Sequence, residues 1–364
     1  MNEKNSIPMS IPDIGQEEKE LVLSTFENNW FSQGKLTSKF EENLGSYLSS
    51  SVTVVNNGSS ALMAALLAIG IKPGDKIIVP DFTFIATSSI PKLLGAKIIP
   101  ADIDKNTLNI SLESIQKIVK ESSDIKAVIF TDIGGLSNNL DALNDLSARH
   151  NFSLIEDAAE AFGAEFKSKK LGSFEHTTIF SFHIAKQLTT IEGGCVASTN
   201  SKIIQKIQQI RDHGRRKSGE YVHEILGSNF RTTDIQSAIG LGQLKKIDQY
   251  IENRNNISSF YKKNIKNFEF QMIPDYVTKH SDMLFFLISK NNEEKKIALN
   301  QLLKHGIDAR ESFYPIHKQP CNPEIHNFHC EISEQVYEKS FTIPIFNNMN
   351  LKDAENVVEC LNEL

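Results

Sequence analysis

Seven short runs rich in β-branched or aromatic residues fall between Ser51 and Asn200: VTVVNN, DKIIVP, AKIIPAD, IKAVIFT, FSLIEDA, TTIFSFH and GCVAST. Most are continuous rather than alternating, which is the pattern of strands covered on both faces. Between them lie SALMAALLAIG, ATSSIPKLLG, SLESIQKIVKES and NLDALNDLSARH, where apolar residues recur at threes and fours, as on one face of a helix. Such alternation constrains the chain to an α/β fold, with a large, mostly parallel sheet under a cover of helices. GIKPGD, residues 70–75, reads as a helix stop and a turn into the next strand.

Before the alternating region, EEKELVLSTFENNW and LTSKFEENLGSYL predict two helices. After it, TDIQSAIGLGQLKKIDQYIENRNNISSFYKKNI predicts one long helix bridging to a second unit. FEFQMIP, DMLFFLISK, EKKIALNQLLKHGI and LKDAENVVECLNEL mix strands and helices, as expected of a smaller α+β domain. The division is placed at 1–245 and 246–364, a boundary that falls inside the long helix. No internal repeat or low-complexity tract is evident.

Composition narrows the functional classes. The 364 residues carry 39 Lys plus Arg against 45 Asp plus Glu, a formal net charge of -6. That balance leaves no polyanion footprint and argues against nucleic acid, although a local site for a small anion remains open. Four cysteines, widely spaced except Cys321 and Cys330, form no disulfide framework. The opening MNEKNSIPMSIPDIG lacks an apolar signal core, and no stretch nears the roughly 20 apolar residues of a membrane span. A cytoplasmic protein is expected.

Three stretches carry candidate chemistry. NNGSSAL, residues 56–62, follows a strand and opens a helix. Gly58 permits a tight turn, and Ser59 and Ser60 stand beside the free N–H groups of a helix start, either as a phosphate cradle or as plain caps. Neither GxxxxGK nor GxGxxG occurs, which disfavours ATP and NAD enzymes. FSLIEDAAEAFGAEF, residues 152–166, ends a strand on Glu156 and Asp157. A carboxylate there lies on the functional edge of a parallel sheet or caps the next turn. FSFHIAKQLTTIEGG, residues 180–194, places Lys186 just past another strand. A lone lysine can snorkel to solvent; it can also form a Schiff base with pyridoxal phosphate, given an acid for the pyridine nitrogen and an anion site. Asp157, Lys186 and the serines, with Ser181 adding a hydroxyl, supply those parts together.

These segments resemble the DegT/DnrJ/EryC1/StrS family of pyridoxal-phosphate-dependent sugar aminotransferases, of fold type I. The likeness runs through IPDIGQEEKELVLSTFENNWFSQG, the block from NNGSSALMAALLAIG to DKNTLNI, IEDAAEAFGAEFKSKKLGSF, FSFHIAKQLTTIEGG and GSNFRTTDIQSAIGLGQL. It implies that Lys186 holds the cofactor aldehyde and that Asp157 pairs with the pyridine nitrogen. It also implies that Phe84 of DFTF stacks on the ring, and that Gly58, Ser59, Ser60 and Ser181 hold the phosphate. Glu160 is implied to contact the ring oxygen. Asn229, of G-x-N-x-R, is implied to reach the cofactor of a neighbouring subunit, hence a homodimer with shared active sites.

The same resemblance implies transfer of an amino group from L-glutamate to a nucleotide-linked keto-deoxy sugar, with Lys186 as proton carrier and His183 in a packing role. C4 amination of a 4-keto-6-deoxyhexose, as in perosamine-type enzymes, is favoured over C3 amination, and the product suits surface polysaccharide such as lipopolysaccharide O-antigen. A sugar dehydratase or isomerase, and a non-catalytic regulatory relative, are the rivals. Lys186 disfavours the dehydratases, which carry histidine there.

Two departures stand out. Ile191 occupies a position where the family commonly has glycine, adding bulk and restricting the turn. TDIGG, residues 131–135, replaces a His-Leu-Tyr-Gly type sequence, and Asp132 is expected to alter the sugar pocket. CNPEIHNFHC, residues 321–330, has the residue types but not the paired spacing of a zinc site, so no metal is expected. Arg211 to Arg216 form a basic loop, either solvated or in contact with a nucleotide diphosphate. Tyr314 and His317 lie in a segment like the family's substrate side.

Overall fold

The structure is a computed structural model describing residues 6–217 and 219–364. Residues 1–5, where the sequence was read for a signal core, and Ser218 lie outside the described residues. Two helices, α1 (Gln16–Glu27) and α2 (Lys35–Leu48), lead into β1 (Ser51–Val55). Then follow α3 (Gly58–Ala68), β2 (Lys76–Pro80), α4 (Ala86–Leu93), β3 (Lys97–Ala101), α5 (Leu112–Glu121), β4 (Ile125–Thr131), α6 (Leu140–His150) and β5 (Ser153–Asp157). A short hairpin, β6 (Glu165–Phe166) and β7 (Lys169–Lys170), precedes β8 (Thr177–Ser181), β9 (Gly194–Ser198) and α7 (Ser201–Arg211).

Seven strands form one sheet in the order β1-β9-β8-β5-β4-β2-β3. The run from β3 through β8 is parallel, while β9 pairs antiparallel with both β8 and β1. The continuous apolar runs are explained by two cores. Ile78, Val128, Phe130 and Leu154 face α2, α6 and the next long helix, while Ile77, Val79, Ile129 and Ile155 face α3 and α7. Successive residues thus bury on opposite sides, so no position in these strands can be polar without a specific partner.

The long helix is α8 (Asp234–Asn264). It starts at a capping box in which the Gln236 N–H donates to Thr233 Oγ1 at 3.2 Å and the Thr233 N–H donates to Gln236 Oε1 at 3.1 Å. The Asp234 carboxylate accepts from the N–H groups of Gly34, Leu36 and Thr37, fastening the start of α2. Leu241, Ile247 and Ile251 of α8 belong to the large sheet's core, and Ile257 and Tyr261 to the C-terminal core. Residue 245 is therefore mid-helix, and the change of packing partner comes between Ile251 and Ile257.

The remaining elements are β10 (Glu269–Phe270), β11 (Val277–Lys279), β12 (Phe285–Ile288), α9 (Asn292–Lys304), β13 (Arg310–Glu311), α10 (Glu331–Lys339), β14 (Ser340–Ile343) and α11 (Leu351–Asn362). β10-β12-β14-β13 form an antiparallel sheet packed on α9 and α11, and β11 joins the β6–β7 hairpin. The architecture is a large, mostly parallel sheet domain covered by helices with a smaller C-terminal α+β domain, as the sequence predicts. No helix among the described residues is long and apolar enough to cross a membrane.

Candidate active site

The C-terminal ends of β5 and β8 and the N-termini of α3 and α4 surround a cavity of about 290 Å³. Gly58, Ser59, Phe84, Asp157, Glu160, Ser181 and Lys186 all line it. Ser60 is buried just behind, and Asn229 is exposed away from the cavity of its own chain.

At the glycine-serine turn the cap of α3 is Asn57. Its Oδ1 accepts from the Ser60 N–H at 2.8 Å, so Asn57 is the cap of α3 and the serine hydroxyls are not needed for that role. A Cβ at Gly58 would lie 3.0 Å from Ser181 Cβ and 3.2 Å from its Oγ. The missing side chain keeps open a space bounded by a helix N-terminus and the hydroxyls of Ser59 and Ser181, which suits an anion.

Asp157, the last residue of β5, is buried. Thr87 Oγ1 donates to its Oδ2 at 2.8 Å and the Ala159 N–H to its Oδ1 at 3.2 Å. Burial pushes its carboxyl above the usual range; the Thr87 and Ala159 bonds and the Lys186 charge pull the other way. Thr87 in turn meets Thr83 at 3.1 Å, and Thr83 meets Thr131 at 3.0 Å, a buried chain of hydroxyls. Sequence reasoning missed these threonines and Asn57; the i,i+4 spacing of Thr83 and Thr87 in TFIAT was the available signal.

Lys186 follows a turn closed by its own N–H donating to the His183 carbonyl at 2.9 Å. Its side chain is 18% exposed, and Nζ lies 3.8 Å from Glu160 Oε1. Glu160 Oε2 accepts from the Gly134 N–H at 2.9 Å. Burial raises the Glu160 carboxyl, Lys186 and Gly134 oppose that, and Asp157 adds to it. Phe84 is 61% exposed, a ring presented to the cavity rather than to the core. Phe313, which the sequence did not single out, lines the same cavity and adjoins a second one of about 280 Å³ that shares Phe84, Glu160 and Lys186.

The two departures fare differently. Ile191 has φ 71°, left-handed backbone in which a β-branched residue is strained. The strain is held by the Ile191 N–H donating to Thr189 Oγ1 at 2.9 Å, and by Gln236 Nε2 and Thr190 Oγ1 donating to the Glu192 carbonyl at 2.6 and 2.8 Å. Asp132 is fully buried and does not line the cavity, so its effect on a sugar pocket is not direct.

The other sequence candidates fall outside the cavity, His183 excepted. His183 lines the cavity, with Nε2 3.8 Å from Glu192 Oε1. His317 is buried against Asp81, and Tyr314 is exposed. Arg211 is buried and paired with Glu41, Arg215 with Asp212, and Arg216 with Glu224. Cys321 is exposed and Cys330 buried. Asp81, His317 and Cys330 do converge within 4.8 Å. Their polar atoms satisfy one another: His317 Nδ1 meets Asp81 at 2.8 Å, Nε2 meets Glu334 at 3.1 Å, and the His317 N–H donates to Asp81 at 2.8 Å.

As a donor set the cavity offers one amine, a buried carboxylate, an anion cradle and an aromatic face. Those groups fit pyridoxal phosphate, which needs each of them.

A profile of the DegT/DnrJ/EryC1/StrS aminotransferase family matches residues 12–362. The chain is 32% identical over 363 residues to a protein named GDP-perosamine synthase from Escherichia coli O157:H7, covering 98% of both. It is 34% identical over 365 residues to UDP-4-amino-4,6-dideoxy-N-acetyl-beta-L-altrosamine transaminase from Campylobacter jejuni, covering 98% of this chain and 96% of that one. Its fold matches that of Helicobacter pylori PseC, an aminotransferase involved in the biosynthesis of pseudoaminic acid, with TM-score 0.91 and 28% identity over 98% of each chain.

Proposed function

The chain belongs to the DegT/DnrJ/EryC1/StrS family of pyridoxal-phosphate-dependent aminotransferases, and from that premise we propose that it moves the amino group of L-glutamate to C4 of a nucleotide-linked 4-keto-6-deoxyhexose. The observation that carries the reading is the meeting of Lys186, Asp157 and the Gly58–Ser181 cradle in one cavity. The choice of C4 is supported by whole-length likeness to proteins named for 4-amino sugars.

Bound there, pyridoxal phosphate supplies an electron sink for the carbanion left when the donor's α-proton departs. The chain's own residues do the rest. Asp157, held by Thr87 and Ala159, would pair with the pyridine nitrogen, and its charge would favour a proton there. The N-terminus of α3, with Ser59 and Ser181, receives the phosphate, and Phe84 covers a ring face. Lys186 would hold the aldehyde at rest and, once freed by the incoming amine, would be the group placed to take the proton from the donor's α-carbon and deliver it to the carbon that bore the aldehyde. Glu160, 3.8 Å from Lys186, keeps that amine aimed into the cavity. Asn229, exposed on its own chain, serves the cavity of a second copy in a homodimer.

The test is a panel of nucleotide-linked 3-keto and 4-keto sugars with glutamate. The reading expects 2-oxoglutarate and a 4-amino product by NMR. A 3-amino product, or deoxygenation without glutamate consumption, would replace it.

A further inference from the structure

The residue after Lys186 is a fully buried glutamine that lines neither cavity. Gln187 Nε2 donates to the Glu160 carbonyl at 2.6 Å and to Ser281 Oγ at 2.8 Å. Ser281 Oγ in turn donates to the same Glu160 carbonyl at 3.0 Å, closing a triangle of polar atoms from three separate segments. The amide must face this way round, because a carbonyl can only accept. Gln187 Oε1 is then left buried without a partner. An orphaned polar atom is costly, and an apolar residue of like length would avoid that cost. What the glutamine provides is its grip on Glu160.

The main chain at the same point is held from the C-terminal domain. Asn347 Nδ2 donates to the Gln187 carbonyl at 2.8 Å, and Asn347 Oδ1 accepts from the buried Arg254 Nε at 2.8 Å. Lys186 therefore sits between a turn closed on His183 and a neighbour clamped through both its side chain and its carbonyl.

The TDIGG stretch is what admits Ser281 this close. Gly135 has φ 94°, and a Cβ there would lie 2.1 Å from Ser281 Oγ and 2.9 Å from the Glu160 carbonyl oxygen. Any larger residue would push Ser281 away. The Ser281 N–H donates to the Gly135 carbonyl at 3.3 Å, and the Met283 N–H to that of Gly134 at 2.9 Å. Gly134 is also the N–H donor to the Glu160 carboxylate. Both the carbonyl and the carboxylate of Glu160 are thus tied to one contact, between residues 134–135 and 281–283.

We propose that Gln187 is a positioning residue: with Ser281 and Asn347 it sets the spacing between the Lys186 amine and the Glu160 carboxylate. The C-terminal domain then fixes an amine that the large sheet carries. The role in turnover rests on Lys186 being the reacting amine, as read above; the spacing does not. The other charged or titratable groups around the two cavities are Asp157, His183, Glu192, Arg310 and Glu311, and none of them bonds to Gln187.

The first test needs no cofactor. Competitive acetylation of the cofactor-free protein, read by peptide mapping, gives the rate at Lys186 against that at the exposed Lys352 of α11. Gln187→Met keeps the length of the side chain and removes the donor. Freed of the Glu160 carboxylate, the amine should react about fivefold faster, the weight of a unit charge ~4 Å away in water. Glu160→Gln should have the same effect, and Gln187→Met should add nothing in that background. An unchanged rate in Gln187→Met would overturn the proposal. So would a further equal rise in the double variant, which is the signature of a general loosening rather than of positioning.

Turnover gives the second measure. In the holoenzyme, Gln187→Met should lower kcat about tenfold, as a misplaced reacting group does, with KM for glutamate unmoved. Ser281→Ala, which leaves Gln187 bonded to Glu160, should lower it less. A raised KM with kcat intact would mean that Gln187 shapes the pocket, and would refute positioning. A protein that gives the expected acetylation pattern yet never binds pyridoxal phosphate would support the spacing role and refute the cofactor reading.

Discussion

Lys186 Nζ stands 3.8 Å from Glu160 Oε1, and the other oxygen of that carboxyl is held by the Gly134 N–H at 2.9 Å. The pair is close enough for charge to orient the amine and too long for a tight hydrogen bond, so Lys186 remains free to react. Lys186→Ala should lower transamination by about 10³-fold or more, the scale of a lost proton carrier. Borohydride reduction of the wild-type holoprotein and peptide mapping should place the label on residue 186. Label elsewhere, or full turnover in Lys186→Ala, would refute the assignment.

Thr87→Val removes the hydroxyl that donates to Asp157 Oδ2 and leaves a buried carboxyl with less support. The expected cost is about 1 kcal/mol of stability, with weaker binding of pyridoxal phosphate in an absorbance titration. An unaltered titration would mean that Thr87 does not prepare Asp157.

Gly58→Ala places a methyl 3.0 Å from Ser181 Cβ, inside the anion cradle. Cofactor affinity should fall at least tenfold, on the order of 1.4 kcal/mol, while the circular dichroism spectrum remains that of the wild type. Equal affinity would place the phosphate elsewhere.

Ile191→Gly relieves a left-handed backbone held at φ 71°. Strain of this kind costs on the order of 1–3 kcal/mol, partly offset by the extra freedom glycine has when unfolded. The variant should be more stable by roughly 1 kcal/mol in denaturant titrations. A loss of stability would show that the Ile191 side chain contributes more than its backbone costs.

His317 gives a pH signature. Burial alone would lower its imidazole, but hydrogen bonds and charges from Asp81 and Glu334 outweigh that and raise it above 6.5. A raised folded value stabilises below the unfolded value, and that contribution is lost as pH rises through the folded one. Stability should therefore decline above about pH 6.5, and His317→Gln should flatten that decline in urea melts followed across pH.

The strands of the large sheet were legible because burial on both faces imposes continuous apolar runs, as in KIIVP and AVIF. The reversal of β9 was not, since a strand's direction depends on the length and path of the loop from Phe182 to Gly193. In the cavity, the residues next to strand ends could be read from motifs. Thr131 and Phe313 could not, because they join from separate segments. Asp81 and His317 bond across 236 residues of sequence, whereas Cys321 and Cys330, nine apart, differ in burial. Ile191 was visible as an unusual residue in a turn, and only the backbone angle showed why it matters.

α8 runs unbroken from the core under the large sheet into the core of the C-terminal sheet, and the fully buried Arg254 lies where it passes from one to the other. Its guanidinium donates to Asn347 Oδ1 and to the carbonyls of Asp282, Met283 and Ile345. From there to Asn264 the helix extends about 15 Å at its ordinary rise per residue. Phe313 stands two residues beyond β13 of that sheet, so one continuous helix, clamped at Arg254, ties the Phe313 wall of the cavity to the core under the large sheet.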